Sequence, residues 1–110
     1  SPLGRRIAGA PRVLREFPFA LLCPAERFFP GAGDEELLLQ GVVDCCLLEP
    51  DGAVIVDYKT DRVSAEEAGA RAERYAAQLE SYAWAVSQIT GLPVKAKIVY
   101  FLRPGEAVEL

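Results

Sequence analysis

The sequence predicts an α/β sandwich, a mixed sheet with helices packed against it, and three observations carry that reading. Residues 37–58 spell a hairpin, a long apolar run meeting a short β-branched run across Glu49-Pro50-Asp51-Gly52. Residues 64–90 form one long amphipathic helical pattern. A further apolar strand follows at 94–102, so two strands joined through a helix are expected side by side and parallel.

Each element can be justified in turn. Residues 1–11 set Leu3 and Ile7 at helical spacing and then meet Gly9 and Pro11, which reads as the end of a helix. In the strand that follows, alternation puts Val13, Arg15, Phe17 and Phe19 on one face and Leu14, Glu16 and Pro18 on the other. Pro18 lacks an N–H, so this strand lies at a sheet edge or ends early. Residues 24–36 hold two prolines, two glycines and an acidic cluster, and are expected as loop. The run 37–48 and the strand 53–58 flank a turn in which proline suits the second position and glycine accepts positive φ at the fourth. Ser64 and Glu67 have the spacing of a capping box. From there the helix is expected to run to about residue 90, with Gly91 and Pro93 as stop signals. Its core stripe is Ala68, Ala72, Tyr75, Leu79, Tyr82, Val86 and Ile89. Lys95 and Lys97 then alternate with Val94, Ala96 and Ile98, a pattern that marks a wet strand face or a protected edge and could also touch a phosphate backbone. Arg103-Pro104-Gly105 turns the chain into a last short strand at 107–110. The order is helix, strand, strand, strand, helix, strand.

Composition narrows the function. A chain of 110 residues, 51% hydrophobic and 25% charged, has the profile of one globular domain, which excludes disorder and a disulfide scaffold. Sixteen acids against 12 bases leave a net charge of −4, which argues against a domain that coats nucleic acid through a basic face. The same balance is compatible with an enzyme that meets phosphate through metal ions held by carboxylates. The absence of histidine removes Ser-His-Asp and Cys-His catalysis. The cysteines are Cys23, Cys45 and Cys46. The adjacent pair offers no C-x-x-C spacing and is expected to fill opposite faces of a strand in a reducing compartment. No apolar run approaches the roughly 18–20 residues of a spanning helix. The expectation is therefore a soluble, cytoplasmic protein without a membrane partner.

Two aspartates stand out because an ionised carboxylate in an apolar strand is costly without a partner. Asp44 lies inside LLLQGVVDCCLL and Asp57 ends AVIVD. Lys59, two residues on, shares a face with Asp57. If the turn is 49–52, Leu48 pairs with Ala53 and Cys46 with Ile55, and Asp44 then faces Asp57 at a Cβ separation of roughly 4.5–5.5 Å. A three-residue loop with a bulge at Gly52 would instead put the two acids on opposite faces. In the facing register the acids repel unless a cation lies between them. Mg²⁺ takes oxygen ligands and is commonly held by one or two carboxylates plus phosphate. Lys59 beside it could orient a water or stabilise developing phosphorane charge, a set suited to metal-assisted phosphodiester hydrolysis. The plainer alternative is that Asp57 closes its strand and pairs with Lys59 while Asp44 caps a bend near Gly41. Gln78 and Tyr82 are i and i+4 on one helix flank. A glutamine bordering an apolar stripe needs a partner, whereas Tyr82 serves equally as an ordinary core aromatic. Arg71, four residues after Glu67, suits a solvated salt bridge along the helix.

These residues carry a resemblance. LLLQGVVD, VIVDYKTDR and QLESY occur in that order, with REFPF before them and KIVYFL after them. Together they resemble the PD-(D/E)xK nuclease superfamily, and more closely the C-terminal nuclease domain of AddA-type subunits of bacterial AddAB helicase–nucleases, related to the RecB nuclease. The likeness covers nearly the whole chain and implies a restriction-endonuclease-like mixed sheet flanked by helices, with an α-β-β-β-α-β core. Asp44 is similar to the family's first metal-binding acid. Asp57 is similar to the second, with the Tyr58 backbone carbonyl as a further ligand, and Lys59 to the catalytic lysine. Gln78 and Tyr82 fall on the family's Q-x-x-x-Y motif near the active centre and the DNA, and Glu16 corresponds to an acid on the first strand that contacts metal or water.

The resemblance implies a Mg²⁺-dependent DNA exonuclease, with Mn²⁺ able to substitute, within an ATP-dependent helicase–nuclease of double-strand break repair and recombination. A partner of the AddB type is implied too, as is the absence of the iron–sulphur cysteines some relatives carry. The family's helicase motifs, with their ATP site, and its upstream histidine are missing from these 110 residues. The expectation is a nuclease domain excised from the C-terminus of a larger protein. A catalytically incompetent module that guides DNA or contacts a partner protein is the alternative.

Overall fold

In the computed structural model, which describes residues 2–110, a long antiparallel ribbon forms one side of the sheet: β1 (Arg12–Pro24) against β2 (Glu36–Glu49). β3 (Gly52–Lys59) continues antiparallel to β2, β4 (Val94–Phe101) lies parallel to β3, and β5 (Glu106–Glu109) closes antiparallel to β4. The spatial order is β1-β2-β3-β4-β5, so β1, with Pro18 in its middle, is an edge strand as its missing donor requires. Helix α1 (Pro2–Gly9) precedes the sheet; Ser1, which opens that segment, lies outside the described residues. The parallel step from β3 to β4 runs through α2 (Ala68–Glu73) and α3 (Ala76–Thr90). Among the described residues no helix is long and apolar enough to cross a membrane.

The β2–β3 turn takes the four-residue register, with Leu48 facing Ala53 and Cys46 facing Ile55. On one face of the sheet, Cys46, Ala53, Ile55, Val99 and Phe101 pack with Ala68 and Ala72 of α2 and Leu79, Ala85 and Val86 of α3. On the other, Cys45, Leu47, Val54, Val56, Ala96 and Ile98 pack under Leu3 and Ile7 of α1. The adjacent cysteines thus fill opposite faces, free and buried, and burial pushes the Cys46 thiol up to about 11. Arg6 of α1 forks onto Glu49 through Nε and Nη2 at 3.0 Å each, and Lys95 Nζ adds a contact at 2.8 Å. These cations tie α1 to the β2–β3 turn and hold the Glu49 carboxyl down to about 2. The alternating lysines are therefore spent on acids: Lys95 on Glu49 and Asp51, Lys97 on Glu80 of α3.

Two features depart from simple periodicity. Alternation does not run unbroken along the ribbon. Val13 packs on the α1 side, but Leu14, Phe17, Phe19 and Leu21 all pack on the α3 side. The partner strand changes in step, Cys46 and Val43 lying on the α3 side with Cys45 opposite. Arg15 pairs with Cys45 and Phe17 with Val43, so the change falls at Glu16 and Asp44, where Glu16 takes the left-handed backbone with φ 49°. Such a local distortion re-aims every side chain beyond it. It turns Phe17 and Phe19 towards α3.

The helix is also not continuous. The Ser64–Glu67 box forms, with Glu67 N–H donating to Ser64 Oγ at 3.2 Å and Ser64 N–H to Glu67 Oε1 at 3.1 Å, but it closes a turn, and helix begins only at Ala68. At Arg74 and Tyr75 the backbone tightens, both N–H groups reaching three residues back, before α3 begins. The buried stripe ends at Ala85 and Val86, leaving Ile89 48% exposed.

Gly52 opens β3 with φ 153°, and a Cβ there would lie 2.8 Å from the Pro93 carbonyl oxygen, which itself accepts the Ala53 N–H at 2.8 Å. Gly52→Ala is expected to destabilise the fold by about 2 kcal/mol, the order of a strained backbone site, as read by urea unfolding. Unchanged stability would show that this junction can relax.

Candidate active site

β3 is buried from Gly52 through Asp57, and the strand surfaces only at Tyr58 and Lys59. Asp57 is 5% exposed, the one buried charged side chain among the described residues. The Lys59 ammonium lies 2.8 Å from Asp57 Oδ2. By its geometry that contact is an ion pair rather than a hydrogen bond, and the buried Oδ2 accepts no hydrogen bond among the described residues. Burial pushes the Asp57 carboxyl up; Lys59 pulls against this and the neighbouring Asp44 adds to it, leaving the group above the ordinary carboxylate range.

Asp44 comes to this point from β2. The last β2–β3 pair is Cys45 with Val56, which aims the next pair, Asp44 and Asp57, at each other. There the ladder gives way to a side chain: Asp44 Oδ2 accepts the Tyr58 N–H at 2.8 Å. The facing register is thus the one adopted. Asp44 is bonded to the backbone of the residue next to Asp57, while the Tyr58 ring meets Tyr100 edge-on on the opposite, α1 side at 6.1 Å between centroids.

From Lys59 a chain of contacts runs along α3. Lys59 Nζ donates to Gln78 Oε1 at 3.0 Å, and Gln78 Nε2 donates to the Tyr82 hydroxyl at 3.0 Å. The Tyr82 ring meets Phe19 edge-on at 5.4 Å, against Gly41, where a Cβ would stand 3.0 Å from that ring. Gln78 has the partner its place beside the stripe demands, and Tyr82 both packs and fixes Gln78. For Lys59, burial lowers its pKa but the Asp57 carboxylate more than offsets it, and the ammonium stays charged.

Glu16 stands apart. It is exposed and sits across from Asp44 in the β1–β2 register, at the left-handed residue of the ribbon. No group of three or more His, Cys, Asp or Glu side chains comes together among the described residues, so Glu16 does not join Asp44 and Asp57 in one cluster.

Periodicity alone misses a second set. Asp61 Oδ2 accepts both the Tyr75 hydroxyl at 2.8 Å and Arg71 Nη1 at 2.9 Å, and the Tyr75 ring lies under the Lys59 ammonium, 4.3 Å from its centroid. Arg71 therefore pairs with Asp61, not with Glu67, whose carboxylate is taken by Ser64. The signal available in the sequence is the charged stretch after Lys59, where Asp61 has no evident local partner.

The donor set fits a small hard cation. Two carboxylates face each other beside a strand backbone, one with a buried oxygen that accepts no hydrogen bond among the described residues. Mg²⁺ is commonly bound this way, by one or two carboxylates completed by water and phosphate. A closed structural zinc site would need thiolate or imidazole ligands that this group lacks.

A mixed sheet with an acid on each of two adjacent strands, a lysine two residues past the second, and a glutamine-bearing crossover helix is a restriction-endonuclease-like architecture. The family model of the PD-(D/E)XK nuclease superfamily matches residues 3–109, and the chain belongs to that superfamily. It is 45% identical over 108 residues, 96% of its length, to the A-type subunit of the ATP-dependent helicase/nuclease of Desulforudis audaxviator. To the protein of the same name from Carboxydothermus hydrogenoformans it is 46% identical over 104 residues, 93% of its length. In both cases the chain spans 9% of the relative. The solved structure of SSO0001 shares the fold, with a TM-score of 0.58 and 16% identity over 99% of this chain and 45% of that one.

A raised Asp57 pKa means that the ionised carboxylate costs the folded state more than the unfolded one. The penalty is fully present above the folded pKa and vanishes below the unfolded one. Asp57→Asn, melted in chelator, is therefore expected to have a higher Tm than wild type at pH 7–8, with the gap closing as pH falls through the carboxylate range. A variant less stable than wild type at pH 8 would show that Lys59 fully compensates the charge.

Proposed function

We propose that this chain is a metal-dependent deoxyribonuclease domain that hydrolyses phosphodiester bonds of DNA strands. The observation that carries the proposal is the Asp44–Asp57 pair, with the buried Asp57 oxygen ion-paired to Lys59 at 2.8 Å but accepting no hydrogen bond among the described residues. Asp44, Asp57 and the Tyr58 carbonyl would hold Mg²⁺, or Mn²⁺ in its place. A divalent ion bound there polarises a phosphoryl oxygen and lowers the pKa of a bound water. The protein's own contribution is positional. Lys59 offers a fixed ammonium to the attacking water or to the charge that develops on phosphorus. Gln78 holds that ammonium on the α3 side, and Tyr82 holds Gln78. Glu16, at the rim across from Asp44, is read as a contact to water or strand backbone.

The relatives are named as subunits of an ATP-dependent helicase/nuclease, which supports a nuclease coupled to a helicase. We further propose that the helicase feeds strands to the site for exonucleolytic cutting, during double-strand break repair and recombination in the cytoplasm. The chain is read as one nuclease domain within such a protein. A protein of the AddB type is the proposed partner, and neither an iron–sulphur cluster nor a membrane is part of the reading. ATP belongs to the helicase part.

In the full-length protein, Asp57→Ala is expected to all but abolish DNA cleavage, a loss of about 10²–10³-fold on the scale of catalytic electrostatics, while leaving ATP-driven unwinding intact. With this chain alone, Mn²⁺ is expected to raise the Tm by mass action on the folded state, an effect lost in Asp44→Ala. Normal cleavage by Asp57→Ala would refute the catalytic assignment. A divalent effect indifferent to Asp44 would point instead to a scaffold with no formed site.

A further inference from the structure

We infer that Tyr75, clamped by Asp61 and Arg71, is a positioning residue for the Lys59 ammonium. The inference deepens the reading above and rests on Lys59 acting at the phosphodiester.

Lysine is a poor device for precise placement. Its ammonium is a point charge on a four-carbon stem with about 2 kcal/mol of rotamer entropy, so a lysine that must stand at one spot needs outside constraint. Lys59 has three neighbours that supply it. Asp57 lies at 2.8 Å, Gln78 Oε1 at 3.0 Å, and the face of the Tyr75 ring covers a further side with its centroid at 4.3 Å. The last distance is well inside cation–π range, and the Lys59 side chain is only 19% exposed, so water screens the contact weakly.

What sets this ring apart from an ordinary packed tyrosine is that it is itself held. Its hydroxyl donates to Asp61 Oδ2 at 2.8 Å, and Arg71 donates to the same oxygen at 2.9 Å. The Tyr75 and Arg71 bonds keep the Asp61 carboxyl below its usual range, and the bond to Asp61 pushes the Tyr75 hydroxyl up, so acceptor and donor each keep the protonation state the contact needs. The backbone contributes too. Tyr75 stands where the helix tightens between α2 and α3, with Arg74 and Tyr75 bonded three residues back to Arg71 and Ala72. Such a tightened turn shifts side-chain direction relative to a continuous α-helix. The geometry also couples two segments. Asp61 leaves β3 two residues after Lys59, and Tyr75 enters α3 three residues before Gln78. The Asp61–Tyr75 bond thus ties the strand end that carries the lysine to the helix that carries its other polar partner.

A tyrosine that merely pins a loop would share the hydroxyl bond but not the dependence of Lys59 on the ring face, so the test must read the ring. The first readout is the ¹H resonance of the Lys59 ε-methylene in this chain without metal. It is expected upfield of ordinary lysine from the ring current, to stay upfield in Tyr75→Phe, and to return to the ordinary position in Tyr75→Leu. The second is single-turnover and steady-state cleavage by the full-length protein. Tyr75→Leu is expected to lower kcat about tenfold with little change in KM, the order of a partly desolvated cation–π contact, and Tyr75→Phe to restore most of it. An unshifted Lys59 resonance in the wild type, or equal kcat for wild type and Tyr75→Leu alongside complete loss in Lys59→Ala, overturns the positioning role alone. Normal cleavage by Lys59→Ala overturns the reading of Lys59 and this inference with it.

Discussion

A carboxylate buried in the middle of a sheet constrains almost everything else in this domain. β3 carries six consecutive buried residues, and the last of them is Asp57. Placing that charge there costs folding energy, and Lys59, the cation paired with it among the described residues, lies near it without proper hydrogen-bond geometry. The neighbouring Asp44 makes the position worse, because a second acid raises the cost of ionising the first. A fold that optimised stability alone would fill this point with an apolar side chain. On the proposed function this is a cost carried for chemistry, since a cation between the acids would turn repulsion into coordination. The surrounding polar groups then follow as supports. Lys59 partly compensates Asp57, Gln78 and Tyr75 fix Lys59, and Tyr82 and Asp61 fix those two.

The second constraint is geometric. The antiparallel ribbon of 13 and 14 residues packs against both the β3 edge and α3, and it does so with a change of inward face along its length. The change falls at Glu16 and Asp44. Before it, the ribbon continues the sheet. Beyond it, Phe17, Phe19, Val43 and Leu39 turn onto the helix side and Gly41 makes room for Tyr82. Asp44 sits at the switch, where the regular ladder lapses and its carboxylate takes the Tyr58 N–H. The irregularity that shapes the fold therefore also places the first acid.

Much of this is legible in the sequence, and the reasons differ by element. Glu49-Pro50-Asp51-Gly52 announces the β2–β3 turn but allows two registers, one facing Asp44 with Asp57 and one separating them. Because turn length fixes every cross-strand pair beyond it, only the folded chain shows that the facing register is taken. The edge position of β1 follows from Pro18. The split between α2 and α3 does not, because Arg74 and Tyr75 fit an unbroken stripe and nothing in their spacing announces a tightened turn. The change of face at Glu16 escapes for a related reason: it is a left-handed residue that is not glycine, held there by the bend of the ribbon rather than by local preference. Tyr75 reads only as packing in the sequence, because a tyrosine on an apolar stripe says nothing about where its hydroxyl goes. Asp61 supplies that answer only in three dimensions.

The central claim is that Asp44 and Asp57 form one divalent-cation site. Its most direct test is paramagnetic broadening of the amide spectrum of this chain by substoichiometric Mn²⁺. The account predicts that the first resonances lost are those of residues 44 and 57–59, around the Tyr58 amide. Broadening centred instead on an exposed acidic segment, such as Asp34-Glu35-Glu36 or the β5 end at Glu109, would contradict it.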